Sequence, residues 1–209
     1  MLVAVHPCPA CCVALLADAF RPLDCRFPTA RGQDFAPKFV SSFLTNKKHQ
    51  QMQKIVTFLW LKDQAEEAAN QYVSTFNNSK ITSVVRYGDA GPGPKGEVML
   101  VNFTLEDQEF VALNGNTQYP FNHSVSLYVK CETQKEVDTL WEKLLAGGGK
   151  EVACGWVTDK FGLSWQIVPT KMIELLQAKD PVRSQRVMKA MMNMVKLDIQ
   201  ALQDAYDGK

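Results

Sequence analysis

From residue 54 onward the chain alternates between two hydrophobic rhythms. Lys54-Ile-Val-Thr-Phe-Leu-Trp-Leu61 has the length and the β-branched and aromatic content of a strand. Asp63 is placed to cap a helix in which Ala65, Ala68, Ala69, Tyr72, Val73 and Phe76 fall on one stripe at 3.6 residues per turn. Asn77-Asn78-Ser79 closes that helix, and strands are predicted over about residues 81–87, 97–104 and 109–113. Gly91-Pro-Gly-Pro94 reads as a loop and not as a phosphate cradle, because proline lacks the amide proton that such a cradle uses.

The pattern then recurs. Ser124–Val129 is the next predicted strand, and Val137, Leu140, Trp141, Leu144 and Leu145 form a second helical stripe. A shift of 68 residues carries Ala69, Tyr72, Val73 and Phe76 onto Val137, Leu140, Trp141 and Leu144, so the same strand-helix-strand unit occurs twice. Gly147-Gly-Gly149 stops the second helix, and strands follow near residues 151–157 and 163–168. This predicts an α+β domain over residues 52–169. Asp180-Pro181 opens a further helix, with Val187, Met188, Met191, Met192 and Val195 as an adaptable stripe that either packs on the sheet or a dimer mate or serves as a flexible lid or target-binding face; packing is the reading preferred. A short helix from Leu197 to Tyr206 ends the helical tail of residues 170–209.

Side chains alternate across a strand, so the two faces can be compared. Val125, Leu127 and Val129 belong against the helix, with Ser124, Ser126 and Tyr128 on the other face. Leu163, Trp165 and Ile167 agree, leaving Ser164 and Gln166 with the serines; in the first strand Ile55, Thr57, Leu59 and Leu61 take the helix side and Val56, Phe58 and Trp60 the other. Phe58, Trp60, Ser124, Ser126, Tyr128, Ser164 and Gln166 therefore make a candidate ligand-binding set, aromatic walls with a few orienting polar groups. The competing reading is that the aromatics fill the interior of a closed sheet and the serines sit at its wet edge.

Composition narrows the class. An apolar share of 46% and a charged share of 22% are globular values, and a net charge of +1 with no basic stripe argues against a nucleic-acid partner. The longest apolar run near the start, Cys11–Leu16, is too short for a membrane span, and His6, Pro7 and Pro9 interrupt it with no preceding Lys or Arg, against a secretory signal. Cys131 and Cys154, the two thiols of the body, suggest a reducing, cytoplasmic compartment. Residues 1–51 hold six Lys/Arg against three Asp/Glu and are read as a poorly ordered, appended extension, with Met52 the natural start. A zinc site from His6, Cys8, Cys11, Cys12 and Cys25 is the sharper alternative there, but it lacks a second chelating pair.

With the repeat in place, Asn122-His-Ser-Val-Ser-Leu-Tyr-Val-Lys-Cys-Glu132 and Cys154-Gly-Trp-Val-Thr-Asp-Lys-Phe-Gly-Leu-Ser-Trp-Gln-Ile-Val-Pro169, together with the Met-rich tail, carry a resemblance. The chain resembles the PhnB-like, 3-demethylubiquinone 3-methyltransferase-like branch of the vicinal oxygen chelate (glyoxalase/bleomycin resistance) superfamily. That resemblance implies paired βαβββ modules, a curved sheet and a homodimer. It also implies that Val56, a residue near Ala112, Ser124 and Gln166 occupy the positions where catalytic members hold a divalent metal, and these do not form a usual metal ligand set. Strand alternation would turn His123 to the opposite face, Glu109 reads as a solvated edge residue, and Asp159 reads as a turn cap before Gly162. Three functions follow: a metal-free binder, with no cofactor, that holds a small molecule in the cleft between the two modules; an enzyme of the same superfamily using a His123/Glu109 metal site or methyl transfer; and a dimeric interaction module with a vestigial cleft.

Overall fold

The computed structural model describes residues 53–115 and 118–209. The proposed extension, its zinc alternative and the start at Met52 lie outside the described residues.

Two modules of identical plan make up the core. The first runs β1 (Thr57–Leu61), α1 (Ala65–Thr75), β2 (Lys80–Arg86), β3 (Val98–Leu105) and β4 (Gln108–Asn114), with strand order β1-β4-β3-β2. The second runs β5 (Leu127–Cys131), α2 (Gln134–Leu145), β6 (Lys150–Glu151), β7 (Trp156–Thr158) and β8 (Ser164–Pro169), with order β5-β8-β7-β6. In each sheet the first strand pairs parallel with the last and the other ladders are antiparallel. This is the α+β, paired βαβββ architecture that the repeat and the resemblance predict. Three helices follow: α3 (Thr170–Leu176), α4 (Pro181–Met191) and α5 (Ile199–Asp207). Among the described residues no helix is long and apolar enough to cross a membrane.

The helix stripes do what their spacing predicts. Ala65, Ala68, Ala69 and Tyr72 of α1 and Val137, Leu140, Trp141 and Leu144 of α2 are buried, and both stripes belong to one hydrophobic core with Val101, Phe103, Phe110 and Ala112 of the first sheet and Val157, Trp165 and Ile167 of the second. Each large side chain in that core contributes about 2 kcal/mol by leaving water. Tyr72 joins the halves: its ring lies 6.2 Å from Phe103 and 5.2 Å from Trp165, while Phe76 stacks on Trp165 at 5.2 Å. The helix-bearing sides of the two sheets thus converge on a shared interior occupied by the helices. Each sheet's other side, here called its open side, points away from that interior.

Polar contacts reinforce the joint. Asp159, buried in the turn before β8, accepts from Phe161 N and Leu163 N through Oδ1, the turn-capping role read from the sequence. Its Oδ2 accepts from Tyr72 Oη and Trp165 Nε1, each at 2.8 Å, so one carboxylate ties α1 to the second sheet. Burial raises the Asp159 pKa above its ordinary value, although all four hydrogen bonds pull it down. Lys143 of α2 donates to the terminal carbonyls of α1 at Ser74 and Thr75, and Lys160 pairs with Glu67.

Several local expectations need correction. Asp63 is not the cap of α1; Gln64 holds that position without a side-chain bond, and Asn114 Oδ1 accepts the Ala65 N–H from 49 residues away. The strand expected at Ser124–Val129 begins only at Leu127, because Asn122 Oδ1 accepts Ser124 N–H and folds the preceding residues into a turn, leaving Val125 70% exposed instead of against the helix. Ile55 precedes β1 and is exposed. Residues 151–157 are not one strand: Cys154 (φ 60°) and Gly155 (φ 83°) turn the chain between β6 and β7. Gly155 admits no Cβ, which would lie 3.0 Å from Ile167 O and 2.8 Å from Leu197.

The tail builds its own small core from Val168, Met172, Leu175, Val187, Met191, Leu197 and Leu202. Asp180 caps α4 by accepting from Val182 N and Arg183 N, as its Asp-Pro start predicts. Of the methionine stripe, Val187, Met188 and Met191 pack inward, whereas Met192 and Val195 stay exposed.

Candidate functional site

The seven candidate residues, expected to share one cleft between the modules, fall instead on two surfaces of the chain. Phe58 and Trp60 lie on the open side of the first sheet, in register with Val111 and Leu113 of β4. They are 55% and 43% exposed, large values for aromatics in a strand, and Tyr119 stands 5.9 Å from the Trp60 ring. Gly115 is pressed so close to Trp60 that any Cβ would overlap the indole.

The polar candidates gather on the open side of the second sheet. Tyr128, Gln166 and Trp156 share one row across β5, β8 and β7. Gln166 Nε2 donates to Ser126 Oγ at 2.7 Å, holding the amide against the segment that enters β5. Ser164, next on the same side of β8, is fully buried and its Oγ is joined to His123 Nδ1 at 3.0 Å. Tyr128 is half exposed, and partial burial raises its hydroxyl pKa, so the phenol keeps its proton and can donate. Ser124 sits exposed in the turn with no side-chain bond to this cluster.

His123 is the residue that alternation misplaced. It lies in the turn before β5 and not in the strand, so no period of two governs it, and its ring reaches back over the open side, edge-on to Trp156 at 6.1 Å. Trp156 itself went unread because the strand containing it was drawn too long. Val168 continues the same side of β8 but is buried in the tail core, so the helices cover that end of the sheet.

Residues 53–168 match the family model of 3-demethylubiquinone-9 3-methyltransferase. The chain belongs to this PhnB-like family. A PhnB protein of Bacillus cereus is 41% identical, with a TM-score of 0.52, over 56% of this chain and all of that one. A Pseudomonas aeruginosa protein of known structure is 22% identical over 55% of this chain and 96% of that one, with a TM-score of 0.46. The fosfomycin resistance protein FosX of Listeria monocytogenes, whose structure contains Mn(II) and sulfate, is 13% identical over 56% of this chain and 90% of its own, with a TM-score of 0.38. No curated protein matches the chain.

Within this paired βαβββ fold, the positions implied as metal ligands are occupied by other groups. Ala112 is buried on the helix side and faces no open surface; Val111 takes the open position beside Phe58. Glu109 lies on β4, a strand bounded by β1 and β3, so it is half-buried and not at an edge. It belongs to the first sheet and His123 to the second. Among the described residues, no three His, Cys, Asp or Glu side chains converge as a metal site. Cys131 offers no nucleophile: it is buried, and burial, then Glu136 and Glu132, push its thiol up to about 12.

Proposed function

We propose that this PhnB-like protein binds a small molecule without a metal or cofactor, in a cleft formed when the open side of the first module of one copy meets the open side of the second module of another. What carries the reading is the division of labour between the two sheets. Phe58 and Trp60 offer exposed aromatic walls, while His123, Tyr128, Ser126 and Gln166 offer a small polar set, and a ligand pocket needs both. Helices fill the space between the modules of one chain, so a homodimer brings the walls and the polar groups together with two-fold symmetry. Within one chain no carboxylate stands with His123; a partner copy would bring in Glu109 from the open side of the first sheet, but two groups fall short of the three protein ligands a catalytic metal needs, which favours binding without metal. The cytoplasm is the proposed compartment, consistent with two free cysteines in the body.

The family description carries a second reading, methyl transfer. Against it, β1 enters α1 through Lys62-Asp63-Gln64 and β5 enters α2 through Glu132-Thr133, and neither turn has the glycines that a nucleotide-like methyl donor packs against in a Rossmann-like fold.

Subunit mixing tests the two-copy cleft. A metabolite found by thermal-shift screening should add roughly 2.7 kcal/mol of stability at 100 times its dissociation constant. Trp60→Ala and Gln166→Ala should each abolish that gain, yet their randomly mixed dimers should recover about a quarter of the wild-type sites, because half are heterodimers with one intact cleft of two. No recovery would place the site within one chain. A tight equivalent of Mn, Ni, Zn or Fe in the purified protein would instead favour the metal enzyme.

A further inference from the structure

Ser164 is an unusual residue to find beneath a binding surface. Its side chain is completely buried, and His123 Nδ1 is the partner of its hydroxyl. A buried hydroxyl proton left without an acceptor is costly, so the favoured arrangement has Ser164 donating and Nδ1 accepting. That assignment places the ring proton of neutral His123 on Nε2. Trp156, edge-on at 6.1 Å, restrains the imidazole from the other flank, and the residue as a whole is exposed.

We propose that Ser164 sets His123 as a neutral Nε2–H donor on the open side of the second sheet, where it receives an oxyanion of an aromatic ligand, an aryl carboxylate being the simplest case. The surroundings favour negative charge. In the row of Ser164 the exposed Lys150 stands two strands away on β6, and no strand position on that side is a carboxylate. Tyr128, kept protonated by its partial burial, supplies a second donor one row away. Tyr128, half exposed, provides a flat surface that an aromatic ring packs against, while the buried Trp156 supports the His123 ring edge-on. His123 is thus a ligand-contacting residue and Ser164 a positioning residue. The inference rests on the small-molecule reading and adds to it the chemistry of the ligand.

The test uses the full chain, isotope-labelled, with sodium benzoate as the probe and benzylamine as its cationic counterpart. At about pH 8, where an imidazole is ordinarily neutral, long-range nitrogen–proton spectra should show His123 protonated at Nε2. Benzoate should shift the His123 and Tyr128 signals and benzylamine should not. His123→Ala should weaken benzoate on the order of tenfold, the usual size of a hydrogen bond to a charged group. His123→Gln, which keeps an N–H in reach, should recover part of the loss, and Ser164→Ala should scramble the tautomer while leaving Tyr128 responsive. A ring protonated at Nδ1, or undiminished benzoate binding by His123→Ala with Tyr128 still shifting, overturns the inference and leaves the cleft reading standing. If benzylamine is the probe that binds, the oxyanion assignment is wrong. If neither probe moves His123, Tyr128 or Trp156 in the dimer, the cleft reading falls with it.

Discussion

Laid strand for strand on one another, the two sheets agree in order and pairing, yet their open sides carry opposite chemistry. The first displays Phe58 and Trp60 to solvent; the second displays Tyr128, Gln166 and a His123 seated on the buried Ser164, with one end sealed by the tail at Val168. On the helix side the modules instead resemble one another, both lined with apolar residues of the shared core. A duplicated unit can keep the face that folds it and diverge on the face that does not. Function has room to diverge on the open sides, and substitutions on either face can blur that contrast or sharpen it.

The largest effect is expected where the modules are joined. Asp159→Ala strands the Tyr72 hydroxyl, the Trp165 indole N–H and two backbone amides, and should cost about 3–5 kcal/mol in urea unfolding. The same carboxylate sets a pH dependence. Its folded pKa is raised by burial above the ordinary 3.8, so the folded state holds that proton more tightly than the unfolded chain does. The contribution is therefore fully present below pH 3.8 and is lost as pH rises from there through the raised value. Asp159→Asn lacks this term, and the stability of the wild type relative to it should fall across that window and level off above it.

Next in size is the cover over the second sheet. Leu197→Ala empties a fully buried position in the tail core and should cost about 2–4 kcal/mol, measured by thermal or urea unfolding. Helix entry gives a smaller contrast. Thr133 caps α2 by accepting from Glu136 N, so Thr133→Ala should cost about 1 kcal/mol, whereas Gln64→Ala at the matching position of α1 should change stability by only a few tenths, there being no cap bond to lose. Smallest is Trp60→Ala, which should leave monomer stability within about 0.5 kcal/mol while weakening self-association in sedimentation runs. A large loss of stability there would mean that the indole holds the sheet together and is not a wall of the cleft.

How far the sequence carried this picture depends on how local each signal was. The stripes of α1 and α2 were legible because a buried helix face writes itself at 3.6 residues, and the shared side of Tyr128 and Gln166 followed from alternation along two true strands, though their register did not. His123 was misread because alternation was applied to a turn held by Asn122, and Ser164 was placed on the correct side without any sign that it would be buried. The break at Cys154-Gly155 hid Trp156: a non-glycine residue at positive φ leaves little trace in composition. The cap from Asn114 and the bond from Tyr72 to Asp159 span 49 and 87 residues, distances over which hydrophobic periodicity says nothing. The direction in which the two open sides face was hidden for the same reason, since it is set by Tyr72 and Phe76 meeting Trp165.

The tyrosine–aspartate link also fixes how the gene could be divided. Severed after Gly115, either piece alone would present half of an oily interior to water and an unmatched member of that pair, and should be recovered as aggregate. Produced together, the pieces should find one another and co-purify, so this protein is suited to a split reporter whose signal depends on reassembly.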